Sequence, residues 1–155
     1  MKLAVIQVRG TIGMSKKFID TLQFLKLVRK NSCVVVDDTR NYLGMLVLLK
    51  DFITWGEIDE ETFRVLLEKR GRIIGNKQLT EQYLREKIKM SFDEFSKSFM
   101  NSKVKFRDVP GLKQFFRLKP PTGGFDREGI KKQFSLGGAL GYRKDNINQL
   151  IKRMI

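Results

Sequence analysis

The sequence predicts an α+β protein, on three observations. Over residues 1–58, apolar runs of strand length alternate with helix-period patterns. Over 59–102, three separately capped helical patterns follow one another. Over 103–155, periodicity gives way to a stretch rich in Gly, Lys and Arg before one last amphipathic helix.

Lys2 to Val8 alternates loosely and is rich in β-branched residues, so a strand is expected. Arg9-Gly10-Thr11-Ile12-Gly13 is a loop, with glycines free to take positive φ. Ser15 is placed to cap a helix whose apolar face runs through Phe18, Leu22 and Leu25 to about Val28. Cys33 to Val36 is a continuous apolar run, suited to a covered, central strand. Asp37-Asp38-Thr39 offers caps for a second helix over Arg40 to Lys50, with Leu46 and Leu49 among its core positions. Phe52 to Ile58 reads as a third strand, interrupted by Gly56. The three middle helices start at Asp59, Thr80 and Ser91, the last with Glu94 as a capping box, and Gly71 closes the first. Val104–Arg107 and Gln114–Lys119 are expected strands. Residues 119–144 combine six glycines and two prolines with few apolar side chains, which points to an extended arm ordered by a partner. Asp145 then caps a final helix with Ile147, Leu150, Ile151 and Met154 on one face.

The charge says what kind of partner. Lys plus Arg is 31 against 17 Asp plus Glu, a net +14. It divides as +5 over residues 1–56, zero over 57–102 and +9 over 103–155. Two basic segments around a neutral middle suit a chain that docks on phosphate with its ends. With no His and only Cys33, most zinc sites, Ser-His-Asp triads and Cys-His dyads are excluded, and no internal disulfide forms. The Leu43–Leu49 run is too short to cross a bilayer, and the N-terminus reads as a strand rather than a signal peptide. A cytoplasmic protein with a polyanion partner is expected, with no metal, cofactor, membrane or small-molecule substrate.

Within that frame the candidate sites are few. The Gly10 to Lys17 stretch lacks the spacing of a nucleotide-binding P-loop. It nevertheless places a helix N-terminus beside Lys16 and Lys17, which suits a backbone phosphate. The arm is the sharper signal. Lys119, Arg127, Lys131, Lys132, Arg143 and Lys144 are set among the Gly123-Gly124 and Gly137-Gly138 pairs and the aromatics Phe125, Phe134 and Tyr142. Glycine lets backbone approach a sugar-phosphate chain, cations release counterions, and aromatic rings stack on unpaired bases. The alternative is a metal-dependent nuclease using Asp37, Asp38 or Glu57. Neighbouring Asp37 and Asp38 in a strand point to opposite faces, so a strand end plus a helix cap is the simpler reading. Cys33 reads as an inert core thiol.

Val8-Arg9-Gly10-Thr11-Ile12-Gly13, Asp38-Thr39 and Gly44-Met45 resemble the L-thirty family of large-subunit ribosomal proteins, whose short bacterial form corresponds to residues 1–58. The rest resembles the longer archaeal and eukaryotic form, through Phe116-Arg117-Leu118-Lys119-Pro120-Pro121-Thr122-Gly123-Gly124-Phe125, Gly129-Ile130-Lys131 and Gly137-Gly138-Ala139-Leu140-Gly141-Tyr142-Arg143. The chain starts directly at its first strand, which looks archaeal, since eukaryotic members carry a basic N-terminal extension. The resemblance implies a β-α-β-α-β core: a three-stranded, mainly antiparallel sheet with two helices on one face, ferredoxin-like. A helical insertion (59–102) and a basic extension (103–155) with the Gly-rich arm follow it. It implies a structural, non-catalytic role on large-subunit rRNA, with neighbouring ribosomal proteins as further partners. The implied RNA face comprises Arg9, Gly10 and Gly13, Lys16 and Lys17, and the Gly-rich arm.

Overall fold

The computed structural model describes residues 1–155. Its centre is β1 (Lys2–Gln7), flanked on both sides by antiparallel neighbours, β2 (Ser32–Asp37) and β3 (Ile53–Glu57). The sheet has five strands rather than the expected three, in the order β4-β2-β1-β3-β5. The C-terminal third supplies both edges. β4 (Phe116–Arg117) joins β2 antiparallel, and β5 (Gly141–Tyr142) joins β3 parallel, so the sheet is mixed. β1 is buried along its whole length, as a strand covered on both faces must be.

The two helices between the first three strands lie on one face. α1 (Lys16–Phe24) and α2 (Arg40–Leu48) pack Leu22, Leu25, Leu27, Leu46 and Leu49 against Leu3, Val5, Val34, Ile53 and Trp55. Each such fully buried side chain contributes about 1.5–3 kcal/mol. The apolar face of α1 does not run on to Val28, which is exposed; Leu27 is buried instead. The cause is a Schellman ending. Lys26 turns left-handed at φ +61°, its N–H donates to Gln23 O, and the Leu27 N–H donates to Leu22 O. Leu27 is thereby folded back onto Leu22. Val36, expected in the core, is half-buried because the outer end of β2 has no strand beside it.

The opposite face carries the larger core. α3 (Glu60–Arg70), α4 (Glu81–Ile88), α5 (Phe92–Met100) and α6 (Asn146–Met154) converge on Ala4, Ile6, Cys33 and Val35. Phe63 stacks on Phe99 at 4.6 Å, and Phe106 meets both Phe99 and Phe116. Thr80 and Ser91 cap their helices as expected, Ser91 with the full Glu94 box. Ser15, Asp59 and Asp145 occupy N-cap positions without accepting a side-chain bond, and Thr39 rather than either aspartate caps α2. The expected strand at 104–107 is a 3₁₀ turn over Phe106–Asp108, because the Asp108 carboxylate accepts from the Lys105 N–H at 2.7 Å and closes the chain locally. Of the expected strand 114–119, only Phe116–Arg117 pairs. Gly56, the apparent interruption of β3, sits where the Lys144 carbonyl approaches so closely that no Cβ fits.

Candidate nucleic-acid interface

At the C-terminal end of β1 the chain turns out of the sheet on fixed contacts. The Val8 and Arg9 N–H groups both donate to Phe52 O. The Arg9 guanidinium donates to Asp51 O at 3.1 Å and lies 5.1 Å from the Phe52 ring, which packs 5.5 Å from Phe18 of α1. Arg9 is thus a positioned, half-buried cation. Gly10 and Gly13 are exposed, and Gly13 at φ +77° makes the turn into α1. The first turn of α1 holds no acidic residue, and the Lys16 and Lys17 N–H groups keep no backbone partner. Both lysine side chains are exposed beside them. Free N–H groups, the positive helix end and two cations together favour an anion.

The arm departs from expectation, because it is folded onto the body. Its Pro-Gly turn is strapped to α6: Thr122 N–H donates to Arg153 O, and the Arg153 side chain donates to the Thr122 and Gly124 carbonyls. Gly123 and Gly124, both at φ +77°, stay exposed at the tip. Farther along, the Lys132 carbonyl lies so close to Gly138 that a Cβ there has no room. Leu140 N–H donates to Lys132 O, and Phe134 N–H to Leu140 O at 2.7 Å. Ala139 and Leu140 bury against Val8, with Phe125 and Ile130 beside them. Few apolar residues suffice because glycine permits this close backbone packing. The Val8 contact also brings the arm to the end of β1 where Arg9 and the glycine loop emerge.

Arg143 is corrected from an RNA contact to an internal brace. It is 3% exposed. Its Nε donates to Thr54 Oγ1 at 2.8 Å, and its Nη2 donates to Asp126 Oδ2 at 3.0 Å and to the Ala139 carbonyl at 2.9 Å. The guanidinium stands 4.7 Å from the Phe134 ring. Burial lowers its pKa, and the facing Asp126 carboxylate opposes that shift. The arm's other polar residues divide by environment. Lys119, Arg127, Lys131 and Lys144 are exposed and unpaired, whereas Lys132 bonds Glu128 at 2.5 Å. Phe125 is half-buried, packed beside Val8, Ala139 and Leu140.

Tyr142 is exposed, but its setting is acidic. Its hydroxyl donates to Glu57, and that bond, with Asp145 and Asp38 nearby, pushes its pKa up to about 12. Asp37 is engaged elsewhere, by Lys2 at 2.5 Å. No three His, Cys, Asp or Glu side chains come together in a metal-binding group. Nothing in this arrangement supports the nuclease alternative. Burial raises the Cys33 thiol to about 12, in keeping with a core residue.

Sequence reasoning missed two features. Arg153, on the last turn of α6, straps the arm, and nothing local in its sequence marks it. A small cavity of about 200 Å³ is rimmed by Lys26, Arg29 and Arg117 around Phe115. It lies at the same end of the sheet as Arg9, since Asn31 N–H donates to Gln7 O. Only the charge surplus of the two basic segments hinted at it.

The chain matches known proteins along its whole length. The family described as Ribosomal protein L30p/L7e matches residues 3–53. The chain is 47% identical over 148 residues to a protein of Methanopyrus kandleri named large ribosomal subunit protein uL30, covering 95% of this chain and 99% of that one. It is 45% identical over 155 residues to the protein of that name from Methanococcus vannielii, with both chains fully covered. With that of Nanoarchaeum equitans it shares 47% over 152 residues, 98% and 97% of the two chains.

Proposed function

The chain belongs to the Ribosomal protein L30p/L7e family, in its longer archaeal form, and from that premise we propose that it is a structural component of the large ribosomal subunit that binds and stabilises rRNA. The observation that carries this reading is identity of 41–47% with archaeal uL30 proteins along essentially the whole chain, arm included. The charge pattern supports it, since +5 and +9 at the two ends flank a neutral middle.

We assign the RNA face to the end of the sheet where loop and arm meet. Lys16, Lys17, Lys119, Arg127 and Lys131 supply exposed charge there, Arg9 a positioned cation, and Gly10, Gly13, Gly123 and Gly124 backbone that approaches phosphate closely. Lys144 is exposed too, but it lies against Gly56, toward the other end of β3, and extends the basic surface there. Lys26, Arg29 and Arg117 extend that face along the start of β2. Lys132 neutralises Glu128 and contributes less, and Tyr142 offers its ring rather than its hydroxyl. The role is architectural rather than catalytic. Other ribosomal proteins are the chain's remaining partners in the subunit.

The test is crosslinking in assembled large subunits followed by sequencing of the attached RNA. Adducts at Lys16, Lys17, Arg127 and Lys131 are expected. An absence of rRNA adducts from the loop and the arm, with the chain present in the subunit, overturns the assignment.

A further inference from the structure

The outer edge of β2 is only half occupied. Main-chain groups along a strand point alternately to its two sides. Leu118 N–H donates to Asn31 O, and Cys33 pairs with Phe116 of β4, so the Asn31 carbonyl and the N–H and C=O groups of residues 33, 35 and 37 point outward, while the Asn31 N–H turns inward to Gln7 O. β4 stops at Cys33. The Asp37 carbonyl is taken by Thr39 N–H, but the N–H and C=O of Val35 and the N–H of Asp37 have no strand beside them.

That open edge runs along a cavity of about 320 Å³. The cavity wraps both faces of the strand. On one side lie Leu25, Val36 and Tyr42, from the layer of α1 and α2. On the other lie Phe99 and Phe106, from the opposite core. Lys105 and Arg107 stand exposed and unpaired on its rim, and the one carboxylate in its lining, Asp37, is already held by Lys2.

We propose that this cleft receives an extended acidic segment of a neighbouring ribosomal protein, added as a strand to β2 in line with β4. It rests on the reading above that the chain works inside the large subunit. Two features select a peptide strand over an RNA base. The free groups recur at every second residue, as a ladder requires, and apolar surface lies on both sides to take alternate side chains. The unpaired Lys105 and Arg107 favour carboxylates on the incoming segment. An exposed edge of this kind is otherwise guarded by charge, proline or a covering loop, and here it is left open between apolar walls.

The experiment uses the full chain in assembled subunits, with a benzophenone amino acid in place of Gln114, which lines the cleft. An adduct to one protein segment that combines acidic residues with alternating apolar ones is expected. Exchange of the Val35 and Asp37 amides should slow by about tenfold or more on going from free protein to subunit. Lys105→Glu together with Arg107→Glu, both exposed, should weaken the adduct while leaving the fold intact. An adduct to an rRNA nucleotide, or fast Val35 exchange in the subunit, overturns the proposal. RNA crosslinks at Lys16 and Lys17 are read in the same subunits. Failure to recover the chain in the subunits overturns the ribosomal reading, and this one with it; a recovered chain with an unprotected edge overturns this one alone, and missing crosslinks at Lys16 and Lys17 overturn only the assignment of the RNA face.

Discussion

Replacing Arg143 with Ala tests the claim that the arm is held from within. The side chain is buried, and three oxygens depend on it: Thr54 Oγ1, Asp126 Oδ2 and the Ala139 carbonyl. Removing it strands the Ala139 carbonyl and one lone pair of Thr54 at about 1–3 kcal/mol each. Asp126 is 28% exposed and turns to water, so the full cost of an orphaned buried charge does not apply. Thr54 still donates to Gly141 O, which keeps β5 attached. The sum is about 3 kcal/mol, a roughly 100-fold increase in local opening. Hydrogen exchange is the assay: the Ala139, Leu140 and Arg143 amides should exchange about 100-fold faster, while those of β1 keep their protection. Arg127→Ala removes the same charge from an exposed position with no bonds and should leave exchange unchanged. Unchanged exchange at Ala139 and Leu140 in the Arg143 variant would show that the arm does not depend on this brace.

Other outcomes follow from the same packing and hydrogen bonds. Leu25→Ala, at a 3% exposed position beneath α1, should destabilise the protein by about 2–5 kcal/mol in denaturant unfolding; a loss below about 1 kcal/mol would mean the site collapses around the gap. Spectroscopic titration should find one tyrosine ionising near pH 12, and Glu57→Gln should bring it back toward 10. Because the folded pKa lies above the unfolded one, the Tyr142–Glu57 contribution to stability is complete below pH 10 and fades as pH rises to 12. The Cys33 thiol should resist a water-soluble thiol reagent until the protein unfolds.

What was legible in the sequence tracks the range of the interaction. The Ser91–Glu94 box and the Thr80 cap span three residues, and both are present. The order β-α-β-α-β was legible because each element carries its own apolar period, as Val34 and Leu46 show by burying where expected. The edge strands were not, because β4 and β5 are two residues each and exist only through register with β2 and β3. The ending of α1 hid behind Lys26, a residue type that rarely takes positive φ. Arg143 looked like one more cation of a basic arm. Its cage comes from Thr54, 89 residues away, and from Asp126, 17 away, which no local pattern reports. The arm's glycines suggested slack, whereas Gly138 serves close packing and only Gly123 and Gly124 form an open tip.

We assign the α1 loop and the arm to one RNA face. The slope of log affinity against log salt measures it, on the rRNA segment recovered by crosslinking. Each phosphate left without its cation lowers that slope by roughly 0.7–0.9. Lys16→Ala with Lys17→Ala should flatten it by about 1.5, and Arg127→Ala with Lys131→Ala by a similar amount. Lys69→Glu, on the exposed surface of the neutral segment, should leave it unchanged. Wild-type affinity and slope in both double variants would contradict the account, and a loss at Lys69 equal to theirs would move the RNA face to α3.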